Sequence, residues 1–533
     1  MIETEISPSE IYQRRDQLGL TTSLSMLEDF AYNSEKSLNR IQAIKYIGLL
    51  GAYNSLLKEK CYEILENFLI SEENTAMKCE SARSLATLGF NKGAKPLKWI
   101  LKQKQIDQSL KLATLKALSK LHFEEEEIDL FIRELDCEDD SIHECVKNTL
   151  IDLSPAVLIQ SLVRFLQKDD LSYSQKIEII KLLSLELNTV NVSFDDTSYV
   201  RVKFPDVVAS LKAHKTILVE TIIQTLHEGD KDFFQNALDL LSFLGEEVHS
   251  DLIEALERED FIIKTNAIKL IGQLQIGAAV QPLLRHLDDM YNEVNIASIE
   301  ALGEIGDLSA VPELLKVFDI DEMEYEYLDI DLKWYILESI KNIYMRNKDA
   351  TFETLLEYIN TDNAFLKESI AFILGEIAHE EFTQPLLSLL EERNVDVKKN
   401  AVIALGKVGD QHALDALFEI LDDPHTYWLI KKVVVDAIFN IFFKLHNNKK
   451  EHSLELKRAI HINRAKLMEY LNQHPDECFK VKLSIIKFLE AFGDKTSLDF
   501  LLKLLNDFHR LVRISAEKAI KTIEKRLEPD TSA

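Results

Sequence analysis

An apolar residue followed by glycine recurs along this 533-residue chain at a nearly fixed spacing. The central copies are 27 residues apart from Gly245 to Gly272, then 31 to Gly303, 72 to Gly375 and 31 to Gly406. The copies follow stretches with apolar residues at i, i+3, i+4 and i+7, which is the period of a helix. The longest interval holds two units, one of them lengthened. A period of about 30 residues is typical of a solenoid, in which each helical unit packs on its neighbours.

Glycine and proline, at 15 and 10 residues, are scarce for a chain of this length. Folds that need many turns, such as β-sandwiches, β-barrels and doubly wound α/β sheets, are therefore disfavoured. A small residue at the repeated position lets the first helices of neighbouring units approach closely and helps to end each helix. Eight glycines hold this position: Gly48, Gly89, Gly245, Gly272, Gly303, Gly375, Gly406 and Gly493. A proline opens several second helices, at Pro96, Pro282, Pro312 and Pro385.

Two units show the complete pattern, ALGEIGDLSAVPELL at residues 301–315 and ALGKVGDQHALDAL at residues 404–417. They resemble HEAT repeats of the phycobilisome-lyase-like type, whose consensus is A-L-G-x-I-G-D-x-x-A-V-x-x-L. The resemblance is strong at residues 235–320 and 365–425, and it implies an all-α, right-handed α-solenoid of about a dozen HEAT-like helix pairs. It implies little about activity, because this repeat occurs in proteins of unrelated functions.

Departures from the repeat divide the chain. Ser7, Pro8 and Glu10 form a capping-box pattern that starts an N-terminal helix. Apolar and polar residues alternate at 190–195 and again at 199–204, which predicts an extended or β-hairpin-like insertion that either packs on its neighbours or docks a partner. The predicted segments are a capping region (1–34), repeats (35–187), the insertion (188–215), central repeats (216–443), a basic segment (444–466), C-terminal repeats (467–527) and a tail (528–533).

An acidic segment rich in aromatic residues interrupts the central repeats at residues 319–335. Acids with interleaved aromatic rings suit a basic peptide, through charge steering and cation–π contact, although a solvated loop between helices explains the same composition. The candidate partner-binding residues here are Asp319, Asp321, Glu322, Glu324, Tyr325, Glu326, Tyr327, Asp329, Asp331 and Trp334. Trp99 and Trp428 are further candidate anchors, with burial in the core as the alternative for each tryptophan.

The segment 444–466 is basic within a chain whose net charge is −28. It suits an acidic partner or the acidic part of a second copy, or else it is simply an exposed helix and loop. Aromatic residues of the kind that stack on bases are not interleaved there, so nucleic acid is disfavoured. The candidate residues of this second patch are Lys449, Lys450, Lys457, Arg458 and Arg464.

The acidic balance of the whole chain repels phosphate backbones and anionic lipid, and favours basic partners or simply solubility. Five cysteines without a CxxC spacing indicate a reducing compartment. The N-terminal residues lack the apolar core of a signal peptide, and no stretch is long and apolar enough for a membrane span. We therefore expect a cytoplasmic protein without membrane insertion.

Sequence motifs for catalysis are not found. Phosphate-loop, dinucleotide, nucleophile-elbow and HExxH patterns are absent. His143, His227 and His379 each precede a glutamate, as in the iron-binding HEAT enzyme deoxyhypusine hydroxylase, but they fall at three different points of the repeat. The spacing of Cys137, His143 and Cys145 does not suit zinc. No catalytic residue, metal or cofactor is predicted.

The sequence thus predicts a non-catalytic scaffold or adaptor. Its second helices line a curved, acidic inner face that holds a partner protein with a basic segment. Two alternatives remain open: a chromophore-handling subunit like the phycobilin lyases that give the repeat its name, and a metalloenzyme of the deoxyhypusine hydroxylase kind. The oligomeric state is left open.

Overall fold

The structure, a computed structural model, describes residues 6–103, 105–121, 124–192, 205–227, 229–317, 330–448 and 454–527. The regular structure of these residues is helical, and pairs of helices follow one another along the chain as predicted for an α-solenoid. The chain divides into two compact units, residues 1–258 and 259–533.

The first unit is made of sixteen α-helices within the described residues. They are α1 (Pro8–Gln13), α2 (Arg15–Leu18), α3 (Leu20–Asn33), α4 (Ser37–Tyr53), α5 (Lys58–Ser71), α6 (Thr75–Leu88), α7 (Ala94–Leu101), α8 (Gln108–Leu118), α9 (Glu125–Arg133), α10 (Asp140–Ile151), α11 (Pro155–Leu166), α12 (Tyr173–Val192), α13 (Pro205–Ala213), α14 (Lys215–Thr225), α15 (Lys231–Leu244) and α16 (His249–Ala255).

The second unit alternates first and second helices. Its first helices are α17 (Phe261–Gln273), α19 (Asn292–Ile305), α21 (Ile330–Arg346), α23 (Ala364–Ile377), α25 (Val395–Val408), α27 (Trp428–Asn448), α29 (Phe479–Phe492) and α31 (Arg510–Leu527). Its second helices are α18 (Val280–Arg285), α20 (Ala310–Lys316), α22 (Lys348–Ile359), α24 (Thr383–Leu389), α26 (Leu414–Asp422), α28 (Leu454–Gln473) and α30 (Lys495–Leu504).

Side-chain caps start many of these helices. Ser7 accepts a hydrogen bond from the backbone N–H of Glu10, and the Glu10 carboxylate accepts one from the N–H of Ser7, which confirms the predicted capping box. Asp260, Asn363 and Asn394 cap α17, α23 and α25, where each side-chain oxygen accepts hydrogen bonds from two backbone N–H groups. These contacts satisfy donors that have no partner within the helix.

Glycine brings the first helices of the second unit into close contact. A Cβ atom added to Gly272, Gly303, Gly375 or Gly406 would lie 2.7–2.8 Å from a backbone Cα of the next first helix. The four Cα atoms belong to Ala301, Ser339, Ala404 and Ala437. Leu302 and Leu405, which precede two of these glycines, are fully buried between the helix layers. The predicted role of the small residue in close helix approach is confirmed at these positions.

The second predicted role, ending the helix, is wrong for these glycines. α19 and α25 continue past the motif and end at Gly306 and Gly409, which have φ values of 77° and 79°. A left-handed residue ends a helix at little steric cost only when it lacks a Cβ. By contrast, Gly89, Gly245 and Gly493 do cap helix ends, so the eight glycines do not share one position.

The prolines behave as predicted. Pro96, Pro282, Pro312 and Pro385 are each the third residue of their helix, namely α7, α18, α20 and α24. A backbone N–H in the first turn has no partner within the helix, so its absence costs nothing there.

The insertion predicted at 188–215 is helical where the structure describes it. α12 runs on to Val192, and α13 begins at Pro205. The strand-like reading is therefore wrong for 188–192 and 205–213, while residues 193–204 lie outside the described residues. An isolated strand has no neighbour for its backbone hydrogen bonds, whereas extending an existing helix adds one bond for each residue.

Among the described residues, no helix combines the length and the apolar character that a membrane span requires.

Candidate functional site

Most of the acidic segment lies outside the described residues. This applies to Asp319, Asp321, Glu322, Glu324, Tyr325, Glu326, Tyr327 and Asp329. Asp331 belongs to α21, but its side chain is not described. Trp334, on the first turns of α21, is 54% exposed and contacts Tyr335 edge to face, with ring centroids 5.3 Å apart. Trp334 is therefore exposed, and its role as a binding anchor stays a prediction.

The other two candidate tryptophans occupy different surroundings. Trp99 lies on α7 of the first unit and is 47% exposed. Trp428 is the first residue of α27 and is half-buried, and the Lys480 ammonium lies 4.5 Å from the centre of its ring. Trp99 therefore belongs to a second helix in one unit, and Trp334 and Trp428 to first helices in the other.

The second patch is also divided. Lys457 and Arg458 are exposed on α28, and Lys449 and Lys450 lie outside the described residues. Arg464 is buried, so its placement in a binding patch is wrong. Its guanidinium donates hydrogen bonds to the Asp494 carboxylate and, at 3.1 Å, to the Phe492 carbonyl. This arginine holds α28 to the start of α30 rather than facing a partner.

Many acids near the second helices are paired within the chain. Lys215 Nζ lies 2.6 Å from the Asp251 carboxylate in the first unit, and Lys367 Nζ lies 2.6 Å from Glu392 in the second. Lys212 pairs in the same way with Glu247, at 2.8 Å. These acidic residues therefore act in part to join helices, and less of their negative charge is left to attract a partner.

The first helices of the second unit form a continuous surface of their own. The glycine contacts fix the register between neighbours from α17 to α27, and the repeat pattern extends it to α29 and α31 with Glu490 and Lys521 at the contact position. From α19 to α31, the residues seven before, three before and one after the contact position are partly or fully exposed. We call this surface the first-helix face. From α19 to α31 its residues are Ile296, Glu300, Glu304, Trp334, Glu338, Asn342, Glu368, Phe372, Glu376, Lys399, Ile403, Lys407, Lys432, Asp436, Asn440, Leu483, Lys487, Ala491, Ile514, Lys518 and Thr522.

Polar contacts tie the face together across neighbouring helices. The Asn400 amide on α25 donates to Glu368 on α23 at 2.9 Å, and Lys407 pairs with Glu376 between the same helices. These contacts hold α23 and α25, two neighbouring helices of the face, against each other.

Large aromatic side chains are exposed on and beside this face. Phe372 is 41% exposed, and Phe443, one turn beyond the face residues of α27, is 50% exposed. With Trp334 they place aromatic surface on α21, α23 and α27. The Lys407 ammonium lies 5.5 Å from the centre of the Phe372 ring. Large aromatic groups exposed on one surface are typical of binding sites.

Three carboxylates of the first-helix face are partly withdrawn from water. Burial raises the pKa of Glu300, Glu304 and Glu368 above the ordinary glutamate value. The charge of Glu300 raises the pKa of Glu304 further, and that of Asp396 does the same for Glu368. Their negative charge is thus incompletely compensated, and a cation that approached this surface would be attracted to it.

The three His–Glu steps lie in separate elements. His143 is on α10 with Nδ1 2.8 Å from the Leu135 carbonyl, His227 follows α14 beside Tyr173, and His379 follows α23. Within the part of the chain that the structure describes, no group of three or more His, Cys, Asp and Glu side chains is arranged to hold a metal ion.

The sequence interpretation missed Phe372, Phe443 and the glutamates Glu300 and Glu304. Counting back three and seven residues from each apolar-glycine motif would have found Glu300, Phe372 and Glu368. The same count would not have found Phe443, because α27 has phenylalanine in place of the glycine. It would not have found Trp334 either, which was a candidate for its place beside the acidic segment, because α21 has lysine there.

A family model described as HEAT repeats matches residues 249–325 and 352–438. No curated protein sequence matches the chain. Among solved structures, importin beta in an ammonium sulfate condition is 12% identical over 94% of this chain and 72% of that chain, with a TM-score of 0.37. Kap95p, in a structure that describes how its binding affects the switch loops of RanGDP, is 15% identical over 98% of this chain and 75% of that chain, with a TM-score of 0.32.

A chain from the structure of the CpcE–CpcF complex of phycocyanin lyase from Nostoc sp. PCC7120 is 18% identical over 46% of this chain and 92% of that chain, with a TM-score of 0.22. Similarity this weak carries no argument about partner or activity.

Proposed function

We propose that this protein is a scaffold that holds a partner protein on the first-helix face of its second unit. The observation that carries the proposal is the exposure of Trp334, Phe372 and Phe443 beside the stacked first helices. Large rings in water forgo the free energy of burial, and a partner that covers them recovers it.

The partner contributes a basic segment. Glu300 and Glu338 lie three residues before the contact positions of α19 and α21, and Glu368 holds on α23 the position that Trp334 holds on α21. The acidic segment 319–329 directly precedes α21 in sequence. Lysine or arginine side chains of a partner meet these carboxylates, while the aromatic rings supply most of the affinity. Charge accelerates the encounter and fixes the register of binding.

The carboxylates also lower the stability of the free protein. Because the pKa values of Glu304 and Glu368 are raised by burial, keeping these groups ionised costs folding free energy. A partner cation would relieve that cost. Groups that weaken the fold yet remain at a surface are typical of functional sites.

The test begins with capture of partners from an extract of the native host on immobilised wild-type protein. The captured protein is then purified, and its affinity is measured by calorimetry for wild type and for Trp334→Ala with Phe372→Ala. Each truncation at a binding hot spot costs about 2 kcal/mol, so we expect the double variant to bind at least thirtyfold more weakly.

Trp99→Ala serves as the matched control, because Trp99 is exposed to a similar degree but lies on a second helix of the first unit. It should leave the affinity unchanged, and circular dichroism should show the same helical content for all variants. Equal affinity of the double variant and wild type would refute the first-helix face as the binding surface.

A further inference from the structure

The first-helix face changes the sign of its charge between α23 and α25. On α19, α21 and α23 its charged residues are Glu300, Glu304, Glu338, Glu368 and Glu376. On α25, α27, α29 and α31 they are Lys399, Lys407, Lys432, Lys487 and Lys518, with Asp436 as the single acid. We call these the acidic half and the basic half. On α17, which precedes this stretch, the residue equivalent to Glu300 is Lys269, so the acidic half is limited to α19, α21 and α23. No run of like charge marks this separation in the sequence.

Ion pairs within the chain neutralise each half only in part. In the acidic half, Lys341 lies 3.2 Å from Glu338. In the basic half, Lys432 pairs with Asp436 at 2.7 Å, Lys518 with Glu490 at 3.1 Å and Lys399 with Asp396 at 3.4 Å. Lys407 pairs with Glu376 across the boundary between the halves. These contacts lie at the surface, where water weakens them and leaves both ions able to interact with a partner.

Aromatic surface spans the boundary between the halves. Phe372 lies on the last helix of the acidic half, and the Lys407 ammonium on the first helix of the basic half sits over its ring at 5.5 Å. In the basic half, the Lys487 ammonium lies 4.4 Å from the centre of the Phe439 ring. An apolar side chain placed at the boundary would therefore contact rings, while charged groups on either side would meet opposite signs.

The helix spacing sets the length of segment that can span both halves. Packed helices lie roughly 8–10 Å apart, so two steps across the acidic half cover about 20 Å and three across the basic half about 30 Å. An extended chain advances about 3.3 Å per residue, which corresponds to roughly six residues and nine residues. A segment of about 18 residues reaches from α19 to α31.

We propose that the occupant of the first-helix face is an amphoteric segment of the partner protein, with a basic block over the acidic half, an apolar residue at the boundary and an acidic block over the basic half. This inference rests on the proposed function and adds the order of charge along the partner. Only a segment with separated charges is attracted along its whole length, because a uniformly basic one is repelled by the basic half.

The test uses three fluorescein-labelled peptides of about 18 residues. The block peptide has lysines, a central tryptophan and then glutamates. The alternating peptide has the same composition with lysine and glutamate interleaved, and the third replaces every glutamate with lysine. Fluorescence anisotropy with the full chain should show the block peptide binding at least tenfold more tightly than the alternating peptide, by a margin that shrinks as salt is added.

Two triple variants assign the halves. Glu300→Lys, Glu338→Lys and Glu368→Lys together should weaken both the block peptide and the all-lysine peptide at least tenfold. Lys399→Glu, Lys432→Glu and Lys487→Glu together should weaken the block peptide but strengthen the all-lysine peptide. The control combines Glu353→Lys, Glu357→Lys and Glu391→Lys. It changes the net charge as much as the first triple variant does, but at exposed positions away from the face, so the order of the three peptide affinities should stay the same.

Equal binding of block and alternating peptides, or no binding of either, overturns the amphoteric segment. If the aromatic double variant still loses the natural partner in that case, the proposed function stands and only the charge order is wrong. Light scattering on the free chain tests whether a second copy of the chain occupies the face instead. A dimer that both triple variants dissolve, and that re-forms when the two are mixed, would assign the face to a second copy and overturn the inference.

Discussion

Single residues show how far the repeat motif could be interpreted from sequence. The close approach of first helices at Gly375 and Gly406 was predictable, because an apolar-glycine pair at a fixed period indicates packing. The end of each helix was not, since it depends on which later residue adopts positive φ. That residue is Ala378 after Gly375 and Gly409 after Gly406. In α25, Gly406 and Gly409 are both glycines near the helix end, and only the backbone φ angle shows that Gly409 ends the helix.

Replacing Gly406 with alanine should destabilise the second unit. The added Cβ would lie 2.8 Å from the Ala437 backbone, so α25 and α27 would have to separate. We expect a loss of about 1–3 kcal/mol in the free energy of unfolding, measured by urea titration. Gly277→Ala is the matched control, because nothing lies within 4 Å of a Cβ there, and its stability should stay the same or rise.

Replacing Glu304 with glutamine should stabilise the protein at neutral pH. Burial and the charge of Glu300 raise the pKa of Glu304, so ionisation weakens the fold as pH rises above the ordinary glutamate value. The amide oxygen can still accept the hydrogen bond from Gln273. Melting temperatures at pH 4 and pH 7 check this. The variant should melt higher at pH 7 with a smaller difference at pH 4, and a lower melting point at pH 7 would contradict the account.

At the scale of elements, helices were predictable and the surroundings of their charged residues were not. Arg464 was assigned to a basic patch because lysines and arginines lie near it in sequence. The structure buries it against Asp494, which caps α30 thirty residues later. The sequence pattern predicts which face of a helix is apolar, but it does not predict which neighbouring element covers a given polar residue. The same limit applies to α12, whose extension to Val192 carries an alternating pattern that predicted a strand.

Replacing Arg464 with alanine should therefore lower stability rather than binding. The change removes the guanidinium that donates to the Asp494 carboxylate and to the Phe492 carbonyl, at a cost of about 2–4 kcal/mol. Arg458→Ala, an exposed arginine on the same helix, should change the free energy of unfolding by less than about 0.5 kcal/mol. Urea titration compares them, and equal effects would mean that Arg464 is not a structural residue.

This contribution also depends on pH. Burial alone would raise the pKa of Asp494, but the Thr496 hydrogen bond and the charge of Arg464 outweigh it and hold the pKa below the ordinary aspartate value. The stabilisation is thus present at neutral pH and is lost as pH falls through that lowered pKa. The difference in stability between wild type and Arg464→Ala should shrink in strong acid.

At the scale of the whole molecule, the sequence interpretation assigned function to runs of charge, whereas the binding surface that we propose is assembled from several helices. An acidic run such as 319–331 can be recognised from the sequence alone, because its residues are consecutive. The first-helix face draws residues from helices spread between α19 and α31, so no local pattern shows it. The solenoid itself was predictable because its contacts join neighbouring units, whereas a surface assembled from many units requires the register between them.

Hydroxyl-radical footprinting of the complex with the captured, purified partner tests the central claim most directly, because it reports the solvent exposure of named side chains. We predict that oxidation of Trp334, Phe372 and Phe443 falls at least fivefold in the complex, while oxidation of the exposed Trp99 stays as it is in the free protein. Unchanged oxidation of all three side chains in a saturated complex would contradict the assignment of the first-helix face as the partner-binding surface.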